Sequence, residues 1–264
     1  MPGGPAAIGG LGLLVVLVLA AVFGLNPEDV LQLVPPESGG VGTAAGTPVP
    51  GTSGDFISQV LADTEDTWGE VFQTDLNATY PHPRLIMFQS AVESACGFAK
   101  SAVGPFYCSR DQQIYLDESF FQDLADRLGA PGDFAQAYVV AHEVGHHVQN
   151  VLGTLPQVNE ARAQVGEEGA NQLSVLLELQ ADCYAGVWAN RAQALRLIID
   201  TGDVSEGVAA AQAVGDDRLQ MEAQGYIVPD SFTHGSSEQR VEWFTRGLES
   251  GDLRACDTFA APQQ

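Results

Sequence analysis

Three closely spaced titratable side chains near the middle of the sequence can act together only if a helix carries them. The segment AHEVGHHVQN, Ala141–Asn150, holds three of the five histidines of the 264-residue chain. His142 and His146 are four positions apart, which places both on one face of a helix, and Glu143 stands beside them. Neutral imidazole is a good zinc ligand, so this H-E-x-x-H spacing predicts a metal-binding helix. The alternative is a pair of core histidines that are buried and hydrogen-bonded without a metal.

Two histidines leave a catalytic zinc site incomplete, because such sites have three protein ligands and one open position. A metzincin would supply a later histidine, but Gln149 and Leu152 stand at the positions of its glycine and histidine. The sequence LELQAD offers a carboxylate instead, with Glu178 and Asp182 spaced E-x-x-x-D on a predicted helix. Glu178 is the predicted third ligand, and Asp182 is predicted to accept the free N–H of a ligand histidine and to fix its tautomer. The alternative third ligands nearer in sequence are Glu160, Glu167 and Glu168.

The predicted carboxylate pair is either an ordinary solvated pair or part of a buried site. Glu178 and Asp182 follow an apolar stretch that contains Leu173, Leu176 and Leu177. Buried carboxylates are costly without partners, so this environment favours the metal site.

The remaining histidines are interpreted from their surroundings. His234, in VPDSFTHGSS, is the candidate that would stabilise an oxyanion during metal-assisted attack on an amide, although a structural loop histidine fits this position equally well. His147 points about 100° away from the ligand face, so we expect it to support the site from behind or to lie in the core. His82 lies between two prolines in YPHPR, which predicts a loop.

The charge of the chain argues against one class of partner. The net charge is −23, from 34 acidic and 11 basic residues. Such a surface repels phosphate backbones, so we expect no nucleic-acid partner and interpret the acidity as a solubility feature. Hydrophobic residues make up 45% of the chain, which is enough for one good-sized domain with a real core.

The four cysteines relate to whether the domain lies in an oxidising compartment or in the cytosol. They form no C-x-x-C motif, which argues against a zinc ribbon or a thioredoxin-type site. In an oxidising compartment they can form two disulfides, and we predict Cys96 with Cys108 and Cys183 with Cys256. In a cytosolic protein the same residues would be buried free thiols.

An apolar run near the N-terminus predicts a membrane anchor. Ala6–Leu25 contains no charged or polar side chain, and a helix of this length spans about 30 Å, which matches a bilayer core. A cleaved signal peptide is the alternative, but no Lys or Arg precedes Arg84, so the usual basic start is missing.

The anchor divides the chain into three parts. Residues 1–25 are predicted as a transmembrane anchor, 26–54 as a flexible linker rich in Pro, Gly, Ser and Thr, and 55–264 as the functional domain. The predicted disulfides place this domain outside the cytoplasm, which makes the protein a single-pass protein of the cell membrane.

The functional domain is predicted to begin with a small sheet and to continue mainly as helices, which is the α+β class. Strands are predicted at Arg84–Ser90 and Gln113–Leu116, with a hairpin between them stapled by the first cysteine pair. The strand Gln113–Leu116 is further predicted to receive an extended substrate as an added strand. Asp133 is the predicted N-cap of the metal-binding helix. Apolar spacing predicts helices at Phe56–Gln73, Glu118–Leu128, Asp133 to about Val151, Ala170–Leu197, Ser205–Val214 and Ser237–Glu249.

From about Val60 to Phe259 the sequence resembles the neutral zinc metallopeptidase family of bacterial membrane-anchored proteins. The segments that carry this resemblance are DTEDTW, SACGFA, VGPFYC, GAPGDFAQAYVVAHEVGHHVQN, LELQADCYAGVWAN, GDDRLQ, VPDSFTHGSSEQR and CDTF. Relatives often carry a basic segment before the apolar run, and this chain has none.

The resemblance implies a mostly helical, zincin-like fold with a small sheet and one catalytic zinc. It implies His142 and His146 as ligands and Glu143 as the catalytic acid/base. The E-x-x-x-D element resembles that of gluzincin peptidases, which implies Glu178 as third ligand with Asp182 as its companion. A late histidine that stabilises the transition state maps onto His234.

Together these observations predict a membrane-tethered zinc endopeptidase that acts on peptides or proteins. The alternative is a proteolytically inactive envelope scaffold or binding protein that zinc holds together. A third interpretation, a secreted peptidase released by signal cleavage, differs only at Ala6–Leu25.

Overall fold

The structure, a computed structural model, describes residues 53–196, 199–200 and 202–260. The predicted anchor Ala6–Leu25 and almost all of the predicted linker 26–54 lie outside these residues. Within the part of the chain that is described, no helix is both long and apolar enough to span a bilayer.

The described chain is mostly helical with a small amount of sheet, as the α+β prediction requires. The strands are short and precede most of the helices along the chain. The helices are α1 (Ser53–Asp75), α2 (Glu118–Asp126), α3 (Asp133–Leu152), α4 (Thr154–Arg162), α5 (Glu167–Arg196), α6 (Asp203–Ala213), α7 (Asp216–Gln224) and α8 (Ser237–Ser250). The strands are β1 (Arg84–Phe88), β2 (Ala91–Ser94), β3 (Gly97–Lys100), β4 (Phe106–Cys108) and β5 (Gln113–Asp117).

The strand order corrects one prediction about substrate binding. The main sheet has the order β1-β5-β4, with β1 parallel and β4 antiparallel to β5. Both sides of β5, the predicted strand Gln113–Leu116, are therefore paired, and it cannot receive an added strand. The edges of this sheet are β1 and β4.

The hairpin lies earlier than predicted. Strands β2 and β3 pair antiparallel as a separate ribbon, and Cys96 lies in the turn between them. The Cys96–Cys108 disulfide therefore ties the hairpin turn to β4 rather than stapling a single hairpin. The second predicted disulfide, Cys183–Cys256, is also present, so the predicted pairing is confirmed.

Glycines allow the central helices to approach closely. A Cβ at Gly145 of α3 would lie 2.9 Å from the carbonyl oxygen of Ala181 on α5. A Cβ at Gly186 of α5 would lie 2.1 Å from the carbonyl oxygen of Phe244 on α8. Real Cβ atoms do not make such contacts, so glycine is required at these two points of contact with α5. The glycine inside H-E-x-x-H thus brings the histidine helix onto the carboxylate helix.

The metal-binding helix is capped differently from the prediction. Asp133 is its first helical residue rather than its N-cap, which is Gly132 at φ 122°. The backbone N–H of Phe134 is satisfied from a distance, because it donates to Oε2 of Glu206 on α6 at 3.1 Å. The cap therefore comes from a residue that is remote in sequence.

The helices α4 and α7 were not predicted from the sequence. Helix α4 contains Pro156, which reads as a breaker but is tolerated in a first turn, where its missing N–H would have no partner. Helix α7 is short and strongly polar, so its apolar spacing is weak. The predicted helix Ser237–Glu249 is confirmed, and Ser236 and Gln239 form a capping box at its start.

Candidate metal centre

Helices α3 and α5 bring the three predicted ligands together. Nε2 of His142 lies 3.1 Å from Oε2 of Glu178, and Nε2 of His146 lies 3.4 Å from Oε1 of the same carboxylate. One ligand atom from each of the three residues falls within 4.8 Å of the others. In the described chain, this group does not include the alternative third ligands, Glu160, Glu167 and Glu168.

Asp182 holds His142 from the side opposite the ligand face. Its Oδ1 lies 2.7 Å from Nδ1 of His142, which is the contact that the E-x-x-x-D spacing predicts. Because Nδ1 faces a carboxylate, it carries the proton, and Nε2 is left to face Glu178 and the cleft.

Two residues that the sequence analysis did not single out complete this network. Arg240 of α8 donates from Nε to Oδ2 of Asp182 at 2.8 Å and from Nη2 to Oδ1 at 2.9 Å. Tyr138, one turn before His142, donates its hydroxyl to Asp182 Oδ1. All these side chains are buried, so Asp182 is an ion-paired carboxylate inside the core. Two features of the sequence point to Arg240. It is one of only 11 basic residues, and it lies in a segment that carries the family resemblance.

The electrostatics of the cluster follow from its opposite charges. Burial lowers the pKa of His142, but the charges of Asp182 and Glu178 outweigh burial and raise the pKa to about 10. Burial raises the pKa of Glu178, yet the charges of His146 and His142 bring it well below its ordinary value. Metal binding requires neutral imidazole and ionised carboxylate, so a cation here would displace protons from the histidines.

Gln149 contacts the second ligand histidine. Its Oε1 lies 2.9 Å from Nδ1 of His146, and its Nε2 donates to the carbonyl oxygen of Leu177 at 2.7 Å. Sequence reasoning had noted Gln149 only because it replaces a metzincin glycine. Its side chain is fully buried beside the centre.

Glu143 has a buried carboxylate oxygen without a hydrogen-bond partner in the described structure. The residue is only 5% exposed, and its Oε2 has no partner within the described structure. Burial raises the pKa of this carboxyl, whereas the nearby charges of His146 and His142 lower it by less. A buried carboxylate oxygen without a partner is costly, and sites that bind or react often retain such groups.

The loop that carries His234 is held by Asp216, a residue that sequence reasoning missed. Oδ1 of Asp216 lies 3.1 Å from Nδ1 of His234, and its Oδ2 accepts backbone N–H groups from Thr233, His234 and Gly235. The hydrogen bond to Asp216 raises the pKa of His234. The ring therefore reaches the cleft with its Nδ1 side already fixed.

The two other histidines lie apart from the cluster. His147 is fully buried, with Nε2 2.6 Å from the carbonyl oxygen of Pro81 and Nδ1 3.0 Å from the hydroxyl of Tyr107. It is a core histidine, one of the two outcomes expected from its position on the helix. His82 is an exposed loop residue beside Glu65, as predicted.

A cleft of about 830 Å³ gives these side chains access to solvent. Its wall includes the ligand cluster, Glu143 and His234, and β4 contributes Phe106 and Tyr107. Apolar side chains from α2, α3, α4, α5 and α7 contribute to the lining, together with polar residues that include Arg127 and Arg162. A cleft of this volume has room for a small molecule or for a short segment of peptide.

Comparison with known proteins shows the family of the chain. A family described as "Putative neutral zinc metallopeptidase" matches residues 2–259. The chain belongs to this family. The Escherichia coli K12 relative named "Uncharacterized protein YpfJ" is 47% identical over 255 residues, which cover 97% of this chain and 88% of the relative. The Mycobacterium tuberculosis relative named "Uncharacterized protein Rv2575" is 47% identical over 192 residues, covering 69% of this chain and 64% of the relative. No solved structure gives a significant match.

The donor set of this zinc metallopeptidase family member suits the ion that the family name specifies. Two imidazoles and one carboxylate that face a cleft form a three-ligand set, which leaves a fourth position for water or substrate. The buried Glu143 beside them has an oxygen still without a partner. The residues present therefore fit a catalytic zinc ion.

Proposed function

We propose that the protein is a membrane-tethered zinc endopeptidase in which His142, His146 and Glu178 hold the ion. The observation that carries this proposal is the convergence of these three side chains on one wall of the cleft, beside the buried carboxylate of Glu143. When bound there, zinc supplies a Lewis acid that polarises a carbonyl and lowers the pKa of water.

The residues of the chain perform the proton transfers. Glu143 takes the proton of the attacking water and passes it to the leaving nitrogen. Its raised pKa suits the first step, because a carboxylate that is a stronger base accepts the proton more readily. His234, held by Asp216, donates a hydrogen bond to the oxyanion that forms on the attacked carbonyl.

The edge strand β4 is the part of the cleft that fits an extended substrate. Its residues Phe106 and Tyr107 line the cleft, and one side of β4 is unpaired in the main sheet. A substrate that adds to this edge would form backbone hydrogen bonds whatever its side chains are. The substrate strand is thus assigned to β4 in place of the central strand.

The test compares the zinc-loaded full-length chain with its Glu143→Gln variant on a mixed peptide library. The expected result is cleavage by the parent and none by the variant, with zinc bound equally in both. Glu168→Gln is the matched control, because Glu168 is exposed and lies outside the ligand group. Equal turnover by parent and Glu143→Gln would refute the proposed mechanism.

The membrane tether has its own test. The two disulfides support an oxidising compartment, and Ala6–Leu25 would hold the domain at the membrane facing that compartment. We expect the full chain in the membrane fraction, resistant to alkaline extraction, and its domain open to protease added from the extracytoplasmic side. Recovery in the soluble fraction would favour a secreted peptidase.

A further inference from the structure

Two buried glutamines link the metal centre to the C-terminal segment. Gln149 is fully buried, and Gln180 is 5% exposed. Nε2 of Gln149 lies 3.2 Å from Oε1 of Gln180, and Nε2 of Gln180 lies 2.9 Å from the carbonyl oxygen of Cys256. A continuous chain of hydrogen bonds therefore runs from His146 through both amides to the backbone of a disulfide cysteine.

The donor-to-acceptor direction of these hydrogen bonds is determined by the last group, the Cys256 carbonyl, which can only accept a hydrogen bond. A backbone carbonyl has no proton, so Gln180 must donate to Cys256 and must turn its own oxygen towards Gln149. Gln149 must then donate to Gln180, and its second amide proton goes to the carbonyl oxygen of Leu177 at 2.7 Å. The opposite orientation of Gln149 would place its oxygen against two acceptors.

The same logic determines where His146 carries its proton. Because the amide protons of Gln149 are both used, the atom that faces His146 is Oε1, at 2.9 Å from Nδ1. An oxygen without a proton requires a donor, so Nδ1 of His146 holds the hydrogen and Nε2 keeps its lone pair. Nε2 is the atom that faces Glu178.

We propose that Gln149 and Gln180 are positioning residues that set the tautomer of His146 for metal binding, and that the Cys183–Cys256 disulfide sustains them. This inference rests on the proposed role of His146 as a zinc ligand. His142 takes its tautomer from Asp182 on α5, whereas His146 takes it from the C-terminal segment through the two amides.

The disulfide is part of the proposal because it holds Cys256, whose carbonyl oxygen accepts the hydrogen bond from Gln180. Cys256 is a buried residue of a short helical turn that follows α8, and it is joined to α5 at Cys183. Thr258 attaches the same segment a second time, since its hydroxyl donates to the carbonyl oxygen of Leu176 at 2.7 Å. Without the disulfide, the Cys256 carbonyl would be held by Thr258 and packing alone, and Gln180 could lose its acceptor.

The first experiment measures zinc affinity of the full chain by competition with a chelating dye. Gln149→Met and Gln180→Met keep the side-chain volume and remove the polar atoms. Changes to groups that orient metal ligands cost about 10–100-fold in affinity, so we expect a loss of that size for Gln149→Met. Gln180→Met should shift affinity in the same direction by less, because Leu177 still holds Gln149.

The control for general destabilisation is Thr64→Val on α1. Thr64 is also fully buried with one hydroxyl hydrogen bond, to the Leu61 carbonyl oxygen, and it does not line the cleft. We expect it to bind zinc as the parent does. Parent-like zinc affinity in both glutamine variants would overturn the proposal.

A spectroscopic measurement separates positioning from mere support of the fold. In the zinc-loaded parent, the Nδ1 proton of His146 should give a downfield imidazole resonance that exchanges slowly with water. In Gln180→Met, which does not contact His146, that resonance should move upfield or exchange faster, while Thr64→Val leaves it in place. An unmoved resonance in Gln180→Met would contradict the proposed chain.

The disulfide is tested with two paired variants. Cys183→Ala with Cys256→Ala should lower zinc affinity, whereas Cys96→Ala with Cys108→Ala should leave it unchanged, because that bond joins the hairpin to β4. Equal affinity in both pairs would remove the disulfide from the proposal. A parent chain that binds no zinc would instead refute the proposed function itself, so the two failures are distinguishable.

Discussion

Asp182 is the residue at which the metal centre and the hydrophobic core meet. It accepts hydrogen bonds from His142, Tyr138 and Arg240, and it is completely buried. Burial raises the pKa of this carboxyl, but the charges of Arg240 and His142 more than offset burial, so it remains ionised. A charged, fully paired group keeps one ligand histidine in a single orientation.

The identity of the third ligand is testable by removing it. Glu178→Ala should reduce zinc from about one ion per chain to a substoichiometric amount, because two imidazoles alone form an incomplete site. The measurement is elemental analysis of the purified, zinc-equilibrated full chain. Glu168→Ala should retain the full complement, and if Glu178→Ala retains it as well, the assigned ligand is wrong.

The role of His234 predicts a pH dependence. Its hydrogen bond with Asp216 raises the pKa of His234, so the protonated ring persists to higher pH. Activity that needs this proton is present below that pKa and is lost as pH rises through it. Asp216→Asn removes the charge, lowers the pKa of His234, and should move the alkaline limb of the kcat–pH profile to lower pH.

The neighbouring carboxylate supplies the control for that profile. Oδ1 of Asp217 accepts from Ser237 and does not touch His234. Asp217→Asn should therefore leave the alkaline limb in place even if it lowers stability. If the alkaline limb of the kcat–pH profile does not move in Asp216→Asn, the titration of His234 does not determine that limb.

At the scale of elements, helix α5 links α3 and α8, and glycines allow both of these helices to approach it closely. It carries Glu178 and Asp182 towards α3 on one side and meets α8 on the other. The contact with α8 is what places Arg240 beside Asp182, so helix packing determines the electrostatics of the centre.

A single methyl group at this contact should be costly. A Cβ at Gly247 of α8 would lie 1.9 Å from the carbonyl oxygen of Cys183, a backbone atom that cannot rotate away. Gly247→Ala should lower the free energy of unfolding by about 1–3 kcal/mol or more, as overpacked cores do. The measurement is chemical denaturation of the full chain.

The matched control is the same substitution where space is free. A Cβ at Gly69, inside α1, would meet nothing within 4 Å. Gly69→Ala should therefore stabilise the protein by about 0.5–1 kcal/mol through helix propensity. Equal effects at both glycines would contradict the close packing of α5 and α8.

At the scale of the described domain, the core is built from apolar side chains other than the three candidate metal ligands. Large apolar side chains from α1, α3, α5 and α8 pack into continuous clusters, and two disulfides add covalent links. The ligand side chains also pair with one another, since Glu178 lies between His142 and His146. The domain thus has the means to remain folded without zinc.

Zinc removal therefore separates an enzyme from a scaffold that zinc holds together. The chelated full chain should keep its far-UV and near-UV circular dichroism and unfold cooperatively at a somewhat lower temperature, because a ligand that binds only the folded state adds stability. Activity should disappear and return with zinc. Loss of tertiary structure on chelation would favour the structural-zinc interpretation.

The sequence indicated the three candidate ligands because the spacing that identifies them is local. The spacing of His142 and His146 and that of Glu178 and Asp182 specify one helix face each, whatever lies around them. The long helices and the α+β class followed from apolar periodicity, and the disulfide pairing was anticipated from the cysteine positions.

Only the tertiary structure revealed how Arg240 and Gln180 support this group, because their partners are remote in sequence. Arg240 is 58 residues from Asp182, and the amide of Gln180 is 76 residues from the carbonyl it binds. The strand order was also undetermined, since a strand's pairing depends on what the fold places on each side. Hydrogen bonds between distant residues leave no periodic signal, so the contacts of Arg240 and Gln180 could be found only from the packing of the helices.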